Sequence, residues 1–196
     1  MKSLIRSTKI SLVVALATAS FVSVAQAETV KVAIAGPTTG AVAQYGDMVR
    51  AGALTAIEQI NAAGGAGGNK LEAVIMDDAC EPKQAVAVAN KVVSQGIKFV
   101  IGHVCSGSTI PASDIYENEG VVMITPSSTA PQLTQAKPHN FIFRTIGRDD
   151  QQGPAAAKYV IEKIKPKKVA VLHDKQSYGQ GVATSVKNAL EAAKIP

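Results

Sequence analysis

KFVIGHVCSGSTIPASDIYENEGVVMITP, residues 98–126, reads as strand, loop, helix and strand in under thirty residues. Lys98–Gly102 is apolar enough for a buried strand. A run of small polar residues follows, Cys105 to Thr109, and PASDIYENEG carries a helix to Gly120. VVMITP then has the β-branched character of a second buried strand. Two short apolar strands joined by a helix form a βαβ crossover, which requires a parallel pair.

The same alternation runs outward in both directions. TVKVAIAG is a strand ending at Gly36. In GDMVRAGALTAIEQINAAGG, residues Val49, Ala53, Ala56, Ile57 and Ile60 share a helical face, and GGAGG stops that helix. KLEAVIMDD is the next strand. EPKQAVAVANKVVSQG is a helix with Pro82 in its first turn, Ala85, Ala89, Val92 and Val93 on one face, and Gly96 at its end. Beyond residue 126 lie a polar, Pro-rich stretch and strand FIFRTI. Next comes helix DDQQGPAAAKYVIEKI, whose early acids suit the positive end of the helix dipole. A sixth strand is expected at KKVAVLHD. A last helix, GVATSVKNALEAAK, has Val182, Val186, Ala189, Leu190 and Ala193 in register.

Alternating strands and helices predict an α/β fold, a parallel sheet with helices on both faces. Right-handed crossovers bring every strand-to-helix loop to one edge of that sheet, beyond the carboxyl ends of the strands, where ligands bind. GPTTGAVAQYG, DDACEP, HVCSGST, TPSSTAP and HDKQSYGQG meet there.

Residues 1–27 have the three parts of a secretory signal: Lys2, Arg6 and Lys9 without an acid, a short apolar run, and AQA as the cleavage site after Ala27. The run is short for a bilayer span and is interrupted by Thr18, Ser20 and Ser23. The whole chain is +5, with 20 basic and 15 acidic residues, and loss of three basic residues with the signal leaves +2. No dense basic run or aromatic interleaving follows, so nucleic acid is not an expected partner. KPKK at 165–168 reads as a solvated turn.

Cys80 and Cys105 are the only cysteines. An even count in an exported chain favours a disulfide over a free thiol. Two thiolates are too few for structural zinc unless His103 and an Asp join them. Catalysis fits poorly. Cys105 lacks the glycine two residues before it that a nucleophile elbow needs, and His103 and His173 are candidate bases by type only. GGAGGNK follows a helix, whereas a phosphate cradle follows a strand, and Lys70 is followed by Leu71. Asp77 and Asp78 read as strand-end acids. No cofactor or metal is expected.

Binding without chemistry fits the loops. SGST offers hydroxyls, Gly107 and a helix start, all suited to a carboxylate. TPSSTAP offers hydroxyls and carbonyls for an ammonium. Tyr45, Val104 and a disulfide add apolar surface, and the set matches an amino acid.

AQYGD, INAAGG, DDACEPKQAVAVANKVV, IGHVCSGSTIPASDIYENEGVVMITPSSTAP, RDDQQGPAAAKYV and HDKQSYGQG resemble the periplasmic leucine/isoleucine/valine-binding proteins, type I periplasmic binding proteins serving ABC importers. The resemblance implies a monomer whose two lobes close over a branched-chain amino acid and then meet an inner-membrane permease; the alternatives are a binding protein for another amino acid or an amide, or a periplasmic sensory ligand-binding module. It implies that Ser106 takes the carboxylate, and that Thr129 and the carbonyl of Ser127 take the ammonium. Tyr45, Val104 and a Cys80–Cys105 disulfide would line the side-chain pocket, and Tyr178 would close from the second lobe. Gly107, Ser127 and Ser128 depart from the common pattern and bear on side-chain preference. Members are roughly twice this length. The resemblance therefore implies a first lobe over 28–146 and a hinge crossing with the beginning of the second over 147–196, in a fragment or a truncated product. The later strands, and an acid that shares the ammonium, would lie outside it.

Overall fold

The computed structural model describes residues 28–135 and 139–195. The expected signal peptide lies outside the described residues. Five strands form one parallel sheet in the order β2-β1-β3-β4-β5: β1 (Thr29–Gly36), β2 (Lys70–Asp77), β3 (Phe99–Ile101), β4 (Val122–Thr125) and β5 (Ile142–Arg144). Helices α1 (Ala43–Ala62), α2 (Pro82–Ser94) and α3 (Ser106–Asn118) connect the first four strands. The chain then continues through α4 (Asp149–Tyr159) and α5 (Ser177–Ala192). Among the described residues no helix is long and apolar enough to cross a membrane.

The two faces of the sheet are covered unequally. On one, Ala33, Ala35, Met76, Val100, Met123 and Ile142 pack with Ala85, Val88, Ala89 and Val92 of α2 and with Ala112 and Tyr116 of α3. The alternate residues point the other way, as the two-residue period of a strand requires. There Val32 and Ile34 meet Ala53 and Ile57 of α1. That single helix leaves Ile75, Phe99, Ile124 and Phe143 each at least 40% exposed.

Local signals placed the helix ends well. Pro82 opens α2, and Gly96 and Gly120 follow α2 and α3 with φ of 69° and 62°, values that suit residues without a Cβ. GGAGG is a turn, as its position after a helix implies. A bridge pairs Ala66 with Asn69, and a Cβ at Gly65 would overlap the Asn69 backbone.

Three expectations are corrected. Residues 168–174 form no strand, because the described residues place no neighbouring strand beside them. An extended segment without a ladder partner leaves its amides to water, and Leu172 is 89% exposed. The helix begun at Asp149 changes at Val160 into a π-helical turn that ends on Lys165 in the left-handed region. The buried faces of α1 and α5 are also narrower than their periodicity suggests. Ala56 and Ile60 of α1 and Ala193 are exposed, and in α5 only Leu190 is fully buried. α4 and α5 pack on each other, and a Cβ at Gly153 would collide with Ser185.

Candidate binding site at the sheet edge

β1 runs to β2 on one side, and the chain then passes back across β1 to place β3 on the other. The carboxyl ends of β1 and β3 therefore diverge into a crevice, the position where open α/β sheets hold ligands. Val104 sits beside Gly36 in that crevice, where a Cβ on Gly36 would come within 2.8 Å of the Val104 side chain.

The loop after β1 is fastened by Asp77 at the end of β2. Its Oδ1 accepts from the amides of Thr38 (2.7 Å), Ala79 (3.0 Å) and Thr39 (3.3 Å), and its Oδ2 accepts from the Thr39 hydroxyl (2.6 Å). Burial raises the Asp77 pKa, but these four donors outweigh it and hold the carboxyl at about 2. A depressed carboxyl stabilises the fold above its unfolded value near 3.8, and that contribution disappears as pH falls toward 2. Wild-type protein is expected to lose about 1–2 kcal/mol more than Asp77→Asn between pH 5 and pH 2, a shift of about two units discounted for solvent screening. Urea denaturation at a series of pH values checks this, and parallel curves for the two proteins would contradict it.

Cys80 and Cys105 are bonded, with Cα atoms 5.5 Å apart, so the loop after β2 is joined to the one after β3. The sequence separation is 25 residues. Removing a cross-link over such a loop costs about 3–4 kcal/mol by chain entropy. A Cys80→Ser, Cys105→Ser double variant is expected to show that loss in denaturant unfolding, and a loss below about 1 kcal/mol would contradict it.

Ser106 opens α3 and is 2% exposed. The amides of Ser108 and Thr109 donate to the Cys105 carbonyl at 3.0 and 2.9 Å. Among the described residues the amides of Ser106 and Gly107 have no such acceptor, which leaves two donors and the helix dipole for an anion. The Ser106 hydroxyl accepts weakly from the Ala130 amide at 3.3 Å, so Ser106 abuts the loop that carries Ser127 and Thr129. Gly107 faces the start of α5, where a Cβ would lie 3.3 Å from the Ser177 hydroxyl.

The 127–130 loop is held by its carbonyls. Arg144 donates to Ala130 O (2.9 Å) and Ser128 O (3.4 Å), and the Asp149 amide donates to Thr129 O (3.1 Å). Burial first, then Arg148, lowers the Arg144 pKa, while Asp149 and Asp150 raise it. Among the described residues the Ser127 carbonyl receives no hydrogen bond.

Among the described residues Ser108, Thr129, His139 and Asp149 have buried side-chain polar atoms without a hydrogen-bond partner, and the Thr129 hydroxyl and both carboxylate oxygens of Asp149 belong to this edge. Thr129 is 8% exposed and Asp149 2%. Burial raises the Asp149 pKa, while the Thr129 side chain and Arg144 pull it down. One Asp149 oxygen also presses against Gly181 of α5, where a Cβ would come within 2.8 Å. Thr129 and Arg144 offset the burial of this carboxylate only in part, a costly state that a further cation would relieve. Sequence reading took Asp149 only as a favourable charge at a helix start. Its burial between Thr129 and Gly181 depends on contacts distant in sequence.

The structure thus brings Val104, Cys105, Ser106, Ser127 and Thr129 together at one edge. Tyr45 on α1 and Tyr178 on α5 stand at 51% and 47% exposure. His103 is not a candidate base, since its ring is fully buried and engaged by Asp78 and Tyr116. Among the described residues no cluster of three or more His, Cys, Asp and Glu could hold a metal.

Residues 29–196 match the family model described as periplasmic binding protein. The leucine-, isoleucine-, valine-, threonine- and alanine-binding protein of Pseudomonas aeruginosa is 64% identical over 182 residues, 92% of this chain and 48% of that protein. The Leu/Ile/Val-binding protein of Escherichia coli K12 is 59% identical over 172 residues, covering 88% and 47%. Among solved structures, a leucine-binding protein from Thermotoga maritima superposes with a TM-score of 0.78 at 30% identity, covering 84% of this chain and 46% of its own. A branched-chain amino acid transporter substrate-binding protein from Streptococcus pneumoniae, solved with isoleucine, gives 0.76 at 32%, covering 83% and 47%. The chain spans about half the length of the curated relatives it matches. Its parallel sheet and crossovers are those of the type I periplasmic-binding-protein fold, and the chain belongs to the periplasmic binding protein family.

Proposed function

We propose that the protein captures branched-chain amino acids, leucine, isoleucine or valine, in the periplasm and delivers them to an inner-membrane ABC permease without transforming them. The observation that carries this reading is the paired chemistry at one sheet edge. The α3 start offers Ser106 and open amides for a carboxylate. Beside it, the unpartnered Thr129 hydroxyl and Asp149 carboxylate, with the open Ser127 carbonyl, offer the complement of an ammonium. Val104, Tyr45 and the Cys80–Cys105 disulfide supply apolar surface for the side chain, and Tyr178 closes over the ligand. Residues 28–146 act as the first lobe, and 147–196 as the hinge crossing and the beginning of the second. The protein works as a monomer and is exported by a signal cleaved after Ala27.

Relatives named for leucine, isoleucine and valine support the ligand class, and the Pseudomonas aeruginosa name adds threonine and alanine. A non-catalytic role is supported by the fate of two of the three reactive candidates: Cys105 is bonded and the His103 ring is enclosed, while His173 is exposed and accepts from the Lys175 amide at 3.0 Å. Ligand-free full-length protein titrated with leucine, isoleucine, valine, alanine, phenylalanine and a short-chain amide tests the reading. Tight binding of the three branched amino acids is expected, and preference for phenylalanine or the amide would overturn it.

A further inference from the structure

We infer that His103 is the positioning residue of this site, acting through Val104, Cys105 and Ser106 rather than by touching ligand. This rests on the reading of the site given above. His103 follows β3 by two residues and is fully buried. Its Nδ1 lies 2.6 Å from Asp78 Oδ2, and its Nε2 lies 3.0 Å from the Tyr116 hydroxyl. The His103 and Tyr116 rings also stack, with centroids 5.8 Å apart. The other Asp78 oxygen accepts from the Cys80 amide at 2.9 Å. Burial, then the charge of Asp78, raises the Tyr116 pKa, so the phenol stays protonated.

The backbone of the same residue is held as firmly. Its carbonyl accepts from the Thr125 hydroxyl at 2.7 Å and the Ser128 hydroxyl at 3.3 Å. The single Ser128 proton is shared between that carbonyl and the nearer Val104 carbonyl at 3.0 Å, and the Ser128 hydroxyl also contacts the Thr109 hydroxyl. His103 thus joins the disulfide loop through Asp78, α3 through Tyr116, and the 125–130 loop through Thr125 and Ser128. Each of these segments carries a proposed ligand contact or leads directly into one. A buried carboxylate such as Asp78 also cannot be left unpaired without large cost, so the ring has one low-energy placement. Supports of this kind keep contact atoms within the half-ångström that tight binding needs.

The test compares His103→Ala with His103→Asn in the full-length protein, because the asparagine amide can still donate to Asp78 while it loses Tyr116. Two quantities are read in protein shown to be folded by circular dichroism: exchange of the Ser108 and Thr109 amides, and leucine affinity by calorimetry. The alanine variant is expected to speed exchange at those amides at least tenfold and to weaken leucine binding ten- to hundredfold, with most of both recovered by asparagine. If His103→Ala does not fold, Ser128→Ala is measured instead, with a several-fold loss of affinity and faster exchange expected. Native exchange together with native affinity in the folded alanine or Ser128 variant would overturn the inference, as would an asparagine variant no better than alanine. Failure of wild type to bind leucine would refute the functional reading, and the exchange comparison would still decide the role of His103.

Discussion

Ser106→Ala is expected to lower leucine affinity ten- to hundredfold while leaving the fold intact. Among the described residues the hydroxyl makes one long bond, to the Ala130 amide at 3.3 Å, so its removal does little to the apo structure. In the proposed complex it would donate to the ligand carboxylate, and a hydrogen bond to a charged group contributes about 1.5–3 kcal/mol. At about 1.4 kcal/mol per decade that is a ten- to hundredfold change. The open amides at the start of α3 remain and keep part of the affinity. Calorimetry decides the matter, and unchanged affinity in a folded variant would remove Ser106 from the site.

Asp149→Asn is expected to weaken binding more, by a hundredfold or greater, and to leave the ligand-free protein no less stable than wild type. The two effects have one cause. Without ligand the carboxylate is buried and only partly offset by Thr129 and Arg144, a state that costs free energy. An ammonium would pair with it, and truncating one side of a buried charge pair costs about 3–5 kcal/mol. Because burial raises this carboxyl's pKa, its charge opposes folding of the apo protein as pH rises above its unfolded value near 3.8, the reverse of Asp77. Thermal unfolding with and without leucine separates the two effects. A variant that is destabilised in the absence of ligand yet binds normally would show that Asp149 serves the fold and not the ligand.

Much of this arrangement was legible in the chain because the signals were local. Pro82 and Gly96 bracket α2, and the βαβ unit at 98–126 appears where its apolar runs place it. An even cysteine count in an exported chain pointed to the disulfide that the structure contains. What could not be read were properties set by distant neighbours. KKVAVLHD has the composition of a strand, but pairing needs a strand beside it, and no local pattern supplies one. Ile75, Phe99, Ile124 and Phe143 are as apolar as the opposite face, so composition could not tell which face α1 leaves open. His103 and Asp78 stand 25 residues apart, and the ring's full enclosure became evident only once α3 brought Tyr116 to it.

A crystal structure of the full-length protein with leucine tests the central claim most directly. The expected complex has the leucine carboxylate within hydrogen-bond distance of the Ser106 hydroxyl and the amides at the start of α3. Its ammonium lies against Thr129, the Ser127 carbonyl and Asp149, and its side chain rests on Val104 and the disulfide. A complex in which the carboxylate lies away from Ser106, or in which Asp149 remains unpaired with leucine bound, would contradict it.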